Sequence, residues 1–383
     1  MTVLQKYLAS EISRAVLLVL AALLSMQSFF DLMGELRSVG KGDYQLQHAF
    51  LYIFMGLPGF AYEMMPLATL IGTIWALSQL ASRSEFTIMR VSSMSTAMAG
   101  AMLAKIGLVF VLMTFFLGEV LSPFFSEMAE HMKLRLLGSA LTQEFRTGLW
   151  AKDMVKDAED GGKIIGSRFL NVREVAPGGE LRGVKIYQFD TSFRMEALIS
   201  AETANYRPNH QWELAGVSEV RFPHIVLGQD ASLVDLKQAI VTHSYPTMSL
   251  TLEITPEIMA VLFADPDRMS ANDLKAYTRH LAENKQHTER YEIAFWKKLI
   301  YPFAVLVMMA LALPFAYLQV RAGGVSLKIF TGIMIGVSFY LLNSLFSHIG
   351  LLNTWPAFVT ALLPSLVFLL IAMGAMRWVE KRG

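Results

Sequence analysis

Residues 64–95 read MMPLATLIGTIWALSQLAS and then RSEFTIMRVSSMS. The first part, Met64 to Ser82, is 19 residues without Asp, Glu, Lys or Arg, close to the ~20 that carry a helix across a bilayer. Ser82 and Glu85 then stand three apart, a capping-box spacing that predicts a short polar helix over about 82–95. Phe86, Met89 and Arg90 fall on one face of it at helical spacing. Two readings of this segment are open: a turn between two spans, or a handle gripped by another protein. A second apolar run, 96–126, follows, with Lys105 near its start and Glu119 near its end.

The same contrast continues outward. Of 383 residues 54% are hydrophobic and 17% charged, below the ~25% charged share of globular chains. Residues 15–30 lack Asp, Glu, Lys and Arg and follow Lys6 and Arg14. A signal peptide has that outline, but without a convincing small-residue cleavage pattern, and with more spans following, a first span is the reading. Ala49–Ser82 carries only Tyr52, Tyr62 and Glu63 as ionisable groups, with Pro58, Gly59 and Pro66 interrupting it. Residues 299–320 are 22 positions free of the four charged types, and 329–376 are 48, broken at Asn353-Thr354-Trp355-Pro356. Six spans result.

Residues 127–267 differ in kind. Charge returns, and alternation predicts strands over 163–172, 181–190, 194–201, 211–227, 233–241 and 248–254. Short strands without intervening helices indicate an all-β sandwich or jelly roll. The expected class is therefore an α-helical membrane protein with six transmembrane helices and a jelly-roll-like β domain inserted between spans three and four. Its parts are residues 1–126, 127–267 and 268–383. Residues 268–298 read as a charged helix standing in water that leads into span four, with a cap-like start at Ser270 and Asp273.

Lys and Arg in short loops set orientation. Ten lie on one side (Lys6, Arg14, Arg83, Arg90, Lys105, Arg321, Lys328, Arg377, Lys381, Arg382) and two, Arg37 and Lys41, on the other. Both termini and the 82–95 segment are then expected in the cytoplasm, with the β domain on the far side of the membrane, which in a Gram-negative cell is the periplasm. A net charge of +1 makes no case for nucleic acid. With no cysteine there is no disulfide or thiolate chemistry. No phosphate loop is present, since Gly162-Lys163 lacks the upstream glycine and the Ser/Thr. His131, His210, His224 and His243 are scattered and read as surface or structural, and His348 as packing or interfacial. No catalytic residue, metal or cofactor is expected.

Three features invite a binding role. Arg37 and Lys41, four apart, share a face if helix one extends that far. They are an interfacial anchor paired locally with Glu35 and Asp43, or a trap for an anionic headgroup. Gly332 and Gly336 form a small-residue packing face, and Val337, Leu341 and Leu345 an apolar stripe, in span five. Glu63 and Glu119, near span ends, read as snorkelling or structurally paired acids.

Several segments in order resemble a known family. They are Leu80-Ala81-Ser82-Arg83-Ser84-Glu85, Gly148-Leu149-Trp150-Ala151-Lys152-Asp153 and Leu262-Phe263-Ala264-Asp265-Pro266-Asp267. Arg290-Tyr291 through Trp296-Lys297-Lys298 to Val307-Met308-Met309 continues the series. With three spans, a β insertion and three more spans, the chain resembles the LptF/LptG permeases of the lipopolysaccharide exporter, and the LptG branch in particular. The resemblance implies a subunit without catalysis of its own. It implies two copies of a cytoplasmic LptB-like ATPase, an LptF-like sister permease and a single-span, periplasmic jelly-roll partner (LptC-like). It implies that Ser84, Glu85, Phe86, Met89 and Arg90 form a coupling helix docking on the ATPase, with Glu85 as its acidic position. Arg37, and with less support from the family pattern Lys41, would meet lipid A phosphates or inner-core sugars, and Val337, Leu341 and Leu345 would line the acyl-chain cavity between the two permeases. The alternatives are the sister subunit, a permease of another ABC system exporting lipoproteins or peptides, or a membrane enzyme acting on lipids.

Overall fold

The computed structural model describes residues 3–91, 95–137, 148–156, 164–176, 180–222, 241–255, 266–283, 286–317, 325–353 and 355–382. Among the described residues six helical segments are long and apolar enough to cross a membrane: Val3–Ser38, Leu46–Ser82, Thr96–Leu137, Glu289–Tyr317, Val325–Leu352 and Ala357–Val379. Span one is helix α1 (Val3–Glu35) and span two is α2 (Leu46–Ser82). The short α3 (Glu85–Val91) joins span two to span three, which comprises α4 (Thr96–Phe116), a π turn at Leu117–Leu121 and α5 (Ser122–Leu137). α1 packs on α2 through Leu8, Ile12, Val16 and Leu20, spaced by four and all buried. The approach is close: a Cβ on Gly72 would lie 2.6 Å from the Val16 Cα. Span five also crosses span two closely, but there glycines meet side chains, Gly332 against Ile74 and Gly336 against Leu67.

The charged stretch expected as one helix over 268–298 is two, α6 (Ala271–Glu283) and α7 (Glu289–Ile300). They fold back on each other because Leu274, Tyr277 and Leu281 of α6 bury against Ala294 of α7. Nor does the segment stand wholly in water: Lys298 is buried. α7 continues through a 3-10 turn at Tyr301–Phe303 into α8 (Ala304–Ala312) and α9 (Pro314–Tyr317), completing span four. α10 (Val325–Leu352) and α11 (Ala357–Arg382) are spans five and six.

Between α5 and α6 the described strands form one six-stranded antiparallel meander, in order β1 to β6. They are Leu149–Lys156, Ile164–Val175, Leu181–Asp190, Met195–Arg207, Gln211–Arg221 and Val241–Thr251. The jelly-roll-like domain is thus a single curved sheet around Leu170, Val184, Ile186, Trp212, Leu214 and Ile254. Its curvature brings the outer strands together. Arg168 of β2 donates to the Thr251 carbonyl at 3.2 Å, and the Glu253 amide donates to Asp153 of β1 at 3.4 Å. β1 was not among the expected strands. The last one begins at Val241, not residue 248, and β5 ends at Arg221. Most of the strand expected over 233–241 lies outside the described residues.

Candidate functional site: a mounted short helix, a polar cavity and an apolar flank

The short helix sits at one end of the spans, here the α3 side, and the sheet is inserted at the other, the sheet side. The capping box expected at Ser82 does not form. α2 runs through Ser82, whose hydroxyl donates to the Gln79 carbonyl at 2.8 Å. The turn falls at Ser84, in the left-handed region at φ 62°, and the Ile88 amide donates to its carbonyl at 3.0 Å. α3 is mounted at two points. The Phe86 ring is 3% exposed and meets Tyr317 edge-on at 5.2 Å, with Met89 half-buried beside it. The Tyr7 hydroxyl of α1 donates to Glu85 Oε2 at 2.8 Å. Phe86 and Met89 therefore face inward; Ser84 is exposed and Glu85 half-buried. The Arg90 side chain lies outside the described residues.

On the sheet side, spans one, two, four and five surround a cavity of about 640 Å³. Four cations line it (Arg268, Arg290, Lys297, Lys298) against three acids (Asp31, Glu63, Asp267), with Tyr340, Ser344 and His348 of α10 on the far wall. Lys298 donates to the Asp267 carbonyl at 3.4 Å and lies 5.1 Å over the Tyr62 ring. Lys297 pairs with Asp267 at 3.7 Å, and Arg268 stacks 5.2 Å over Phe60. None of these cations was named as a binding residue from the sequence, although Arg290, Lys297 and Lys298 lie in a segment that carries the family resemblance. The available signal was the Lys297-Lys298 pair immediately before an apolar run. Glu63 belongs to this cavity wall. Glu119, on the π turn, is structural: it accepts the Ala271 amide at 3.0 Å and so anchors the start of α6.

Arg37 and Lys41 do not share a helix face. α1 ends at Glu35, Leu36–Ser38 is a 3-10 turn, and Gly40 and Gly42 take positive φ. Their expected local pairing with Glu35 also fails, because Glu35 bonds Lys133 of α5 at 2.9 Å. Both cations are exposed, Arg37 in the 3-10 turn that ends the first segment and Lys41 after it, and neither lines the cavity. Val337, Leu341 and Leu345 are exposed as well, Leu341 at 61%, while Gly332 and Gly336 of the same helix face inward. The apolar stripe is an outer flank beside the cavity wall, not the lining of a cavity within this chain.

Six helices of spanning length, an antiparallel sheet inserted between the third and fourth, and a polar cavity beside an apolar flank are the architecture of a membrane permease. A profile of the lipopolysaccharide export system permease LptF/LptG family matches residues 6–378. The chain belongs to that family and is a permease subunit of lipopolysaccharide export. It is 29% identical to the lipopolysaccharide export system permease protein LptG of Escherichia coli K12 over 374 residues, 97% of each chain. It is 29% identical to the protein of the same name from Haemophilus influenzae over 369 residues, 96% of each.

Proposed function

We propose that this permease sits in the inner membrane with both termini and α3 in the cytoplasm and the sheet in the periplasm. It works with a sister permease, an ATPase dimer that docks on α3, and a single-span partner with its own β domain. The ten-to-two excess of Lys and Arg on the α3 side supports this orientation.

Lipopolysaccharide enters from the outer leaflet. Its acyl chains lie along Val337, Leu341 and Leu345, closed off by the sister subunit. Its phosphates meet Arg37 and Lys41 at the rim and then the cation-rich cavity. Cations held in a partly dehydrated site bind phosphate more strongly than they would in water. ATP-driven closure of the ATPase moves α3 through Glu85, narrows the cavity and passes the glycolipid toward the sheet. The apolar flank adjoining a cavity with Arg268, Arg290, Lys297 and Lys298 carries this reading, because it matches an amphiphile's two halves.

The test is purification from native membranes in mild detergent. An ATPase and a second permease should co-purify with bound lipopolysaccharide; a chain that comes out alone and lipid-free contradicts the reading.

A further inference from the structure

We infer that Tyr7 is a positioning residue for energy coupling: it holds the Glu85 carboxylate and makes span one a lever driven by α3. This rests on the proposed ATP-driven reading. The Tyr7 hydroxyl donates to Glu85 Oε2 at 2.8 Å, across 78 residues of sequence. A carboxylate offers about four acceptor positions, so this bond orients Glu85 and leaves capacity for a cation of the docking partner.

The rest of α1 has the build of a lever. Its fully buried apolar residues against α2 are the Leu8, Ile12, Val16, Leu20 stripe, flanked by half-buried Leu4, Ala15, Val19 and Leu23, and at Gly72 the two backbones come close at Val16. That crossing is a fulcrum. From Ala21 to Gly34 no residue of α1 is fully buried, so the sheet-side arm is held more loosely than the stripe, by half-buried Leu23, Leu24 and Leu32. At 1.5 Å per residue the arm from Val16 to Tyr7 is about 14 Å and the arm from Val16 to Glu35 about 28 Å, so displacement doubles. The long arm carries Gln27 and Asp31 of the cavity wall and ends at the rim beside Arg37. Glu35 bonded to Lys133 is the catch that holds it in the resting position. Phe86 fixes α3 to span four and Glu85 ties it to span one, so a push on α3 tilts one against the other.

The experiment compares wild type and Tyr7→Phe in the complete exporter in proteoliposomes, reading lipopolysaccharide delivered per ATP hydrolysed. A structural defect lowers both rates together and leaves their ratio unmoved. Removing the hydroxyl should lower the ratio by about ten-fold or more, the effect of losing a hydrogen bond to a charged group. A second measurement uses the absence of native cysteine. Spin labels at Met33→Cys and Leu352→Cys, both exposed, should change separation with ATP when Tyr7 is present and not in Tyr7→Phe. An unchanged ratio, or the same distance change in both, overturns the lever. If the wild-type exporter itself shows no ATP-dependent delivery, the ATP-driven reading fails instead.

Discussion

The Phe86 ring stands edge-on to Tyr317 at 5.2 Å, bolting the short helix between spans two and three onto the end of span four. At 3% exposure it is a core residue in an otherwise polar segment. Phe86→Ala opens a cavity in a buried site, which costs about 3–5 kcal/mol. The chain should lose thermal stability and ATPase binding together, whereas Phe86→Leu should retain most of both. Melting in detergent and pull-down of the ATPase measure this.

Gly72 and Gly336 both sit at helix crossings, but their neighbours differ. A Cβ at Gly72 meets Val16 backbone atoms at 2.6 and 2.7 Å, while one at Gly336 meets the Leu67 Cδ1, the end of a side chain that can turn away. Gly72→Ala should therefore separate α1 from α2 and lower the melting temperature by several degrees more than Gly336→Ala. Equal losses would mean that the α1–α2 approach is not backbone-limited.

Lys133→Ala leaves Glu35 at 11% side-chain exposure without its cation. Removing one partner of a buried pair costs up to about 3–5 kcal/mol, reduced here because both groups retain some solvent. Removing both, Glu35→Leu with Lys133→Met, should recover most of the loss. A double-mutant cycle on unfolding in detergent gives the coupling energy.

In the β domain, burial pushes the Asp153 carboxyl up from 3.8 to about 6, and Oδ1 finds no partner among the described residues. The folded state thus favours the protonated form. That contribution to stability is fully present below about pH 4 and lost as pH rises through about 6, at most about 3 kcal/mol in all. Asp153→Asn should raise the melting temperature at pH 8, and the gain should vanish at pH 4. A gain independent of pH would show that the buried charge is not the cause.

Much of the architecture was legible because membrane spans write themselves as long apolar runs, and 49–82, 299–320 and 329–376 each became the expected helices. α3 was legible as polarity between two such runs, though not its start: Ser84 adopts a left-handed turn that the Ser82–Glu85 spacing does not reveal. β1 was missed because Asp153 occupies an inward position, breaking the apolar alternation that marks a strand. The cavity was missed for a different reason. Asp31, Arg268 and Lys298 come from distant parts of the chain, and only the fold-back of α6 on α7 and the packing of spans one, two and four bring them together.

The cavity cations make a prediction independent of the rim. Arg290 is exposed, yet lines the cavity. Arg290→Glu should weaken lipopolysaccharide binding to the complex in nanodiscs by about ten-fold, the order of a charge-assisted phosphate contact. The loss should shrink as salt is raised, because screening already weakens that contact in the wild type.

The central claim is that α3 receives the work of ATP hydrolysis through Glu85. The direct measurement is lipopolysaccharide delivered per ATP hydrolysed by the reconstituted exporter carrying Glu85→Ala. The account predicts that delivery falls at least about ten-fold, beyond what losing one neutral hydrogen bond would give. Delivery and hydrolysis both at wild-type level would contradict it.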